Sequence, residues 1–202
     1  MQPRDHHDWG SDAYVDEWVK KQRSEDPARA ARFQLMCERF PFPSDAPATI
    51  LDVGAGYGPV SAFILDRYPN ATCIGQDGSV PMLERARTLM AKYGPRFRPH
   101  QSDQFAKDWL PAELGPFDAA VSAICLHNLR DFKRIGEIYG DIRGRLKAGG
   151  VFLNLDLVNG PDGSGPFPAT LAQQLAALTA AGYERVDCFW QDERRALFGG
   201  YA

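Results

Sequence analysis

Residues 50–59 read Ile50-Leu51-Asp52-Val53-Gly54-Ala55-Gly56-Tyr57-Gly58-Pro59. The apolar run Ile50, Leu51 and Val53 suits a strand covered on both faces. Three glycines then alternate, and glycine lets a backbone turn tightly and approach a ligand closely. Pro59 fits the first turn of a following helix, where its missing N–H is not needed. That helix start is expected to point free N–H groups at whatever occupies the loop. The spacing separates this loop from a dinucleotide fingerprint, whose pattern is Gly-x-Gly-x-x-Gly. Counted from Gly54, the third glycine of that pattern falls on Pro59. Asp52 lies two residues before Gly54. A carboxylate there repels a pyrophosphate and suits a ligand carrying positive charge.

Downstream, Thr72-Cys73-Ile74-Gly75-Gln76-Asp77-Gly78-Ser79 reads as a second short strand ending in an acid. Asp77 stands 23 residues beyond Gly54, close to the spacing of about 20 for an acid that accepts from ribose hydroxyls. Ser79 is a good N-cap, with Pro81 in the first turn behind it. Met82, Leu83, Ala86, Leu89 and Met90 recur at helical spacing, and Gly94-Pro95 stops the helix.

Four segments together resemble the class I S-adenosylmethionine-dependent methyltransferases of the small-molecule type. They are Ile50 to Pro59, Gly75 to Ala86, Phe117 to Leu129 and Leu146 to Leu157. Their order and spacing are more specific than any one motif, and the match covers roughly residues 48 to 202. The resemblance implies an α/β, three-layer Rossmann-like methyltransferase fold. Its seven-stranded sheet has the order 3-2-1-4-5-7-6, with strand 7 antiparallel. It also implies S-adenosyl-L-methionine as cofactor, held by Asp52, Gly54, Ala55, Gly56 and Gly58 of the loop. Asp77, Gly78 and Met82 follow on the ribose side, and Ser102, Asp103 and Gln104 near the adenine. Ser122 and Ala123 end the fourth strand beside it.

The remaining chain agrees with that architecture. Tyr14, Val15, Trp18 and Val19 form one apolar helical face, and Asp26-Pro27 starts a second helix with Phe33, Met36, Cys37 and Phe40 inward. Pro41, Pro43 and Pro47 break the chain before the first strand. Strands and helices then alternate to Leu157, the pattern of a parallel sheet with helices on both faces. A helix with Leu171, Leu175 and Leu178 ends at Ala181-Gly182. Glu184 to Gln191 and Arg194 to Tyr201 are two strands joined at Asp192-Glu193. A turn that short forces antiparallel pairing. We expect a single domain over residues 1–202, with 1–46 as a helical lid and 47–202 as the Rossmann-like core.

Composition narrows the partners. The 202 residues carry a net charge of −3, which gives no general phosphate-binding face and disfavours nucleic acid. Cys37, Cys73, Cys125 and Cys188 are widely spaced and read as reduced core residues of a cytoplasmic protein. No apolar run reaches membrane-spanning length, the N-terminus has no secretory apolar core, and His6-His7 is too short for a metal site. Nothing in the sequence speaks to oligomeric state.

The chemistry follows from the cofactor that the resemblance implies. A sulfonium methyl is already activated, so placement and exclusion of water carry most of the reaction. A base is needed only when the acceptor must lose a proton. His127, after the fourth strand, is the candidate; otherwise it caps or packs the loop. Many relatives have His-His there, whereas this chain has His127-Asn128, with Asn128 able to orient a hydrogen bond. Tyr14 and Trp18 lie one helical turn apart, and either cover the sulfonium and acceptor or pack as core. No metal is expected: Asp156 fills one place of a magnesium cluster, but no acid follows Ser122 at the matching place. Nor is there an Asn/Asp-Pro-Pro-Tyr motif or a Pro-Cys nucleophile of the nucleic-acid methylating types. The acceptor is then a small molecule. The alternatives are an NAD(P)-dependent oxidoreductase, against which Pro59 and the closing hairpin argue, and a non-catalytic S-adenosylmethionine-binding protein.

Overall fold

The computed structural model describes residues 7–23 and 26–202. The side chains of Asp26 and Pro27, expected to cap the second helix, and His6 lie outside the described residues. Two helices, α1 (Asp12–Arg23) and α2 (Asp26–Cys37), precede β1 (Ala48–Val53), α3 (Pro59–Arg67), β2 (Ala71–Asp77) and α4 (Val80–Met90). A 3₁₀ segment, Ala91–Arg96, leads into β3 (Phe97–Gln101). Then come β4 (Phe117–Ala123), a 3₁₀ turn at Leu126–Leu129, α5 (Phe132–Arg143), β5 (Leu146–Leu157), α6 (Leu171–Ala180), β6 (Glu184–Gln191) and β7 (Arg195–Tyr201).

The seven strands form one sheet in the order β3-β2-β1-β4-β5-β7-β6, as expected. Parallel pairs run from β3 to β5, and β7 enters antiparallel beside β5. The hairpin turn is closed by Asp192, whose carboxylate accepts from the Arg194 and Arg195 amides at 3.0 and 2.7 Å.

Alternation along β1 divides the core into two layers. Ile50 joins Met36 of α2, Ile64 of α3 and Met90 of α4 on one face. Leu51 and Val53 join Ile135, Ile138 and Ile142 of α5 and Leu178 of α6 on the other. Burial on both faces is why β1 reads as a continuous apolar run. Each fully buried aliphatic side chain contributes roughly 1.5–3 kcal/mol. Side chains cap three helix starts, and of these only Ser79 was expected. Ser79 accepts from the Met82 amide at 3.1 Å, Asp131 from the Arg134 amide at 3.1 Å, and Thr170 forms a capping box with Gln173.

Among the described residues no helix is long and apolar enough to cross a membrane.

The antiparallel insertion of β7 depends on close backbone approach. A Cβ on Gly199 would lie 2.0 Å from the Phe152 carbonyl oxygen of β5. Gly199→Ala is therefore expected to destabilise the fold by roughly 1–3 kcal/mol or more, read as a lower denaturation midpoint. An unchanged midpoint would contradict this packing.

Candidate active site

A cleft of about 1030 Å³ opens at the carboxyl edge of the sheet, between the loops that follow β1, β2, β3 and β4. Ligands of open α/β sheets bind at this edge. The volume sits at the upper end of the range of about 300–1,000 Å³ for small-molecule sites.

The glycine loop forms its floor, but not in the way that a phosphate cradle does. Gly54, Gly56 and Gly58 all have positive φ, at 67°, 56° and 90°, so the loop coils back on itself. Its amides thereby find partners within the protein. The Gly54 N–H donates to Gln76 Oε1 at 3.3 Å, and the Ala55 N–H to the Gln76 carbonyl at 2.8 Å. The Gly56 N–H donates to Asp77 Oδ2 at 2.8 Å, and the Gly58 N–H to the Ala55 carbonyl at 2.9 Å. The expectation that the start of α3 points free N–H groups into the loop is corrected at Ser61, whose amide donates to Asp52 Oδ2, and at Ala62, whose amide donates to the Gly58 carbonyl. An engaged amide does not hold a pyrophosphate.

Asp77 lines the cleft at the end of β2. Its second oxygen accepts from the Ser79 amide at 2.8 Å, so one carboxylate joins the loop, the strand end and the start of α4. Burial pushes this carboxyl up, against the pull of the Ser79, Gly56 and Gly78 amides. Each carboxylate oxygen has lone-pair capacity beyond one amide, enough to accept from the diol of a ribose. Gly54, Ala55, Gly56, Gly78, Met82, Asp103, Gln104 and Ala123 line the cleft with it, as do Trp18 and Asn128. Asp103 is anchored locally, with Oδ1 accepting from the Phe105 amide at 2.9 Å.

Other expected residues stand elsewhere. Asp52 is 1% exposed and does not line the cleft. Its Oδ2 accepts from the Ser61 amide at 3.1 Å and the Ser61 hydroxyl at 2.6 Å, so it anchors the first turn of α3. Strand alternation explains this: Asp52 shares the face of Ile50, toward α3. Gly58 is the left-handed residue before α3, with Met90 behind it, and is likewise outside the cleft lining. Ser102 and Ser122 have buried hydroxyls with no partner in the structure and do not line the cleft. Tyr14 is not in the lining but contacts His7 and packs edge-on against Trp9, both of which are. In the other direction, Cys125, expected as core, lines the cleft.

Residues not singled out by sequence complete the walls. Trp9, Tyr57, Phe105 and Phe132 line the cleft, with Phe105 and Val80 the exposed large apolar residues of the described chain. Trp9, Trp18 and Tyr57 form a ring ladder with centroids 5.4 and 6.2 Å apart. α1 lies over this side because Val15 and Val19 pack on Tyr57 and Met82. The Ser79 hydroxyl donates to the Trp9 carbonyl at 2.6 Å, and Arg85 pairs with Asp12 and Asp16 at 2.6 and 2.9 Å. Exposed ion pairs contribute little, so the apolar contacts hold the helix. A tyrosine between two loop glycines was the available sequence signal. Trp9, so far from the loops in sequence, gave none.

His127, next to Asn128 in sequence, is outside the cleft lining, with its ring edge-on to Phe167. Its Nδ1 lies 2.6 Å from Asp156 Oδ1, and its amide donates to Asp156 Oδ2 at 3.0 Å. Asp156 is fully buried at the end of β5, next to β4 in the sheet. A carboxylate on Nδ1 fixes the tautomer and leaves Nε2 as the proton acceptor. Read from sequence, Asp156 was only a partial metal ligand. The pairing needs the β4–β5 adjacency to be visible.

Residues 50–150, half the chain, match the model of the family described as "Methyltransferase domain", and the chain belongs to that family. It is 37% identical over 95 residues to a trans-aconitate 2-methyltransferase of Streptomyces coelicolor, covering 46% of this chain and 30% of that protein. It is 31% identical over 107 residues to a malonyl-[acyl-carrier protein] O-methyltransferase of Xylella fastidiosa, covering 53% and 34%. The matched stretch thus spans about a third of those relatives. Human N-acetylserotonin methyltransferase, solved with S-adenosylmethionine, superposes with a TM-score of 0.73 at 15% identity, covering 98% of this chain and 59% of that one. PigF, solved with S-adenosylhomocysteine, gives 0.72 at 19% identity, covering 96% and 60%. At these identities the likeness is one of fold.

The buried Asp52 carboxyl carries a measurable signature. Burial pushes it up to about 6, with the Ser61 bonds pulling down and the Asp77 charge pushing further up. The folded value lies above the unfolded one. Stability from this group is therefore full below about pH 4 and lost as pH rises through about 6. Asp52→Asn keeps an acceptor for Ser61 without the charge. In denaturant melts, wild-type stability relative to Asp52→Asn should fall by on the order of 2–3 kcal/mol from about pH 4 to about pH 6.5. A pH-independent difference would contradict the assignment.

Proposed function

We propose that this chain transfers a methyl group from S-adenosyl-L-methionine to a small-molecule acceptor. The observation that carries the reading is the pairing of engaged loop amides with a cleft-facing Asp77. That floor suits a nucleoside with a cationic, phosphate-free tail, and it disfavours the dinucleotide of an oxidoreductase. The donor set fits the cofactor: Asp77 for the ribose, Asp103 and Phe105 at the adenine end, and the glycine loop for the methionine end. When bound, S-adenosylmethionine supplies a sulfonium methyl whose leaving group is a neutral thioether. The chain supplies placement and dryness. Trp9, Trp18 and Tyr57 put aromatic rings in the cleft lining, a residue type that attracts cations, and residues 1–46 act as the lid that limits water. Residues 47–202 form the core of the same domain. Holding the reactants in near-attack geometry contributes roughly 7–11 kcal/mol.

Where the acceptor loses a proton, His127 Nε2 is the candidate base, oriented by Asp156 through Nδ1; because His127 stands outside the cleft lining, it serves only an acceptor that extends past Asn128. Asn128, which lines the cleft, orients the acceptor. Three curated relatives are named as O-methyltransferases, so oxygen acceptors are the first class to screen. The four free cysteines fit a reducing compartment, and a cytoplasmic location belongs to the same reading.

Two outcomes test this. Calorimetric titration should give binding of S-adenosylmethionine and S-adenosylhomocysteine and none of NAD. Asp77→Ala should weaken both ligands by about 10–100-fold, the loss of hydrogen bonds to a charged group. Binding of NAD alone, or an unaltered Asp77→Ala, would sink the reading. Separately, once an oxygen acceptor is found, Asp156→Asn should lower kcat by roughly 10–100-fold while S-adenosylmethionine affinity holds. Equal loss of affinity and turnover would remove the His127 base.

A further inference from the structure

Gln76, the residue before Asp77, does not line the cleft and is fully buried in β2. An aliphatic residue would fill a buried strand position with no polar group to satisfy. A buried amide is unfavourable unless both of its ends are bonded. Here they are. Oε1 accepts from the Gly54 amide at 3.3 Å and from Gln104 Nε2 at 3.1 Å, while Nε2 donates to the Ser102 carbonyl at 2.8 Å.

These partners belong to different loops. Gly54 opens the glycine loop after β1, and Ser102 and Gln104 follow β3. Gln104 in turn reaches the segment after β4, with Nε2 3.5 Å from Cys125 Sγ. That sulfur fills the space beside Gly54, where an added Cβ would sit 2.0 Å from it. Gly54 is thus held between Gln76 on one side and Cys125 on the other. Two of the four loops around the cleft meet on this one side chain, outside the cleft lining, and a third is joined to it through Gln104.

We infer that Gln76 is a positioning residue: it sets cofactor affinity by holding the loops after β1 and β3 in register and, through Gln104, the segment after β4. The inference rests on the cleft being the S-adenosylmethionine site. Position 76 needs an acceptor and a donor at once. A carboxylate there would keep the two acceptor bonds but would face the Ser102 carbonyl with no hydrogen to give. Protonated, the same carboxyl would donate to that carbonyl and restore the set.

The test titrates wild type, Gln76→Leu and Gln76→Glu with S-adenosylhomocysteine at about pH 5.5 and about pH 8, values that bracket a raised carboxyl. Gly54 amide exchange is followed by NMR in the ligand-free proteins. Gln76→Leu should bind about 10–100-fold more weakly at both pH values and exchange Gly54 faster. Gln76→Glu should be as weak at the higher pH and recover toward wild type at the lower one. Donor KM should rise in both variants at the higher pH, with acceptor KM and kcat at saturating donor unchanged. Affinity in Gln76→Leu within about twofold of wild type would overturn the inference, as would donor and acceptor KM rising together. If Gln76→Leu fails to fold, the pH ratio of Gln76→Glu against wild type decides: recovery supports the role, and a flat ratio overturns it. A wild type that does not bind S-adenosylhomocysteine sinks the cofactor reading and this inference with it. A wild type that binds, matched by Gln76→Leu, sinks the Gln76 role alone.

Discussion

The carboxylate of Asp77 is the point on which the cleft depends. One oxygen accepts from the Gly56 amide and the other from the Ser79 amide. The glycine loop, the end of β2 and the first turn of α4 are therefore fixed by one side chain, which also faces the cleft. Hydrogen bonds to a charged group contribute about 1.5–3 kcal/mol each. That is enough to hold an ionised acid in a partly buried place and keep it available to a ligand.

The electrostatics of the floor follow from this arrangement. Asp52 and Asp77 are near enough that the charge on Asp77 raises the Asp52 carboxyl. A buried acid, Asp52, and a partly buried one, Asp77, are unfavourable together beside the glycine loop, and a third, Asp103, is exposed in the cleft lining. A cationic ligand offsets that repulsion, whereas a pyrophosphate adds to it. The engaged amides point the same way, because the loop has no donors to offer at Gly54, Ala55, Gly56 or Gly58. Charge and hydrogen bonding thus select for the same ligand class by separate routes.

Much of this was legible in the sequence. The alternating glycines and the acid 23 residues on gave the position of Asp77, the two-residue turn at Asp192-Glu193 gave the antiparallel last pair, and the sheet order came from the family resemblance that these segments carry. Local pattern carries such features, since a strand, a tight turn and a cap each depend on a few neighbouring residues. What failed depended on which face or which distant segment a side chain meets. Asp52 was expected at the ligand because it is near the loop in sequence, yet strand alternation turns it to Ser61. Asp156 came to His127 only through the adjacency of two strands, and Trp9 reached the cleft by a strap that no periodicity announces. Gln76 looked like an ordinary strand residue until its three partners were seen together.

The most direct test is a crystal structure of the chain with S-adenosylhomocysteine bound. The account predicts ribose hydroxyls within about 2.6–3.2 Å of the Asp77 carboxylate. It also predicts that the Gly54 and Gly56 amides still donate to Gln76 and Asp77. A ligand bound outside this cleft, or loop amides turned away from those partners to bind it, would contradict the account.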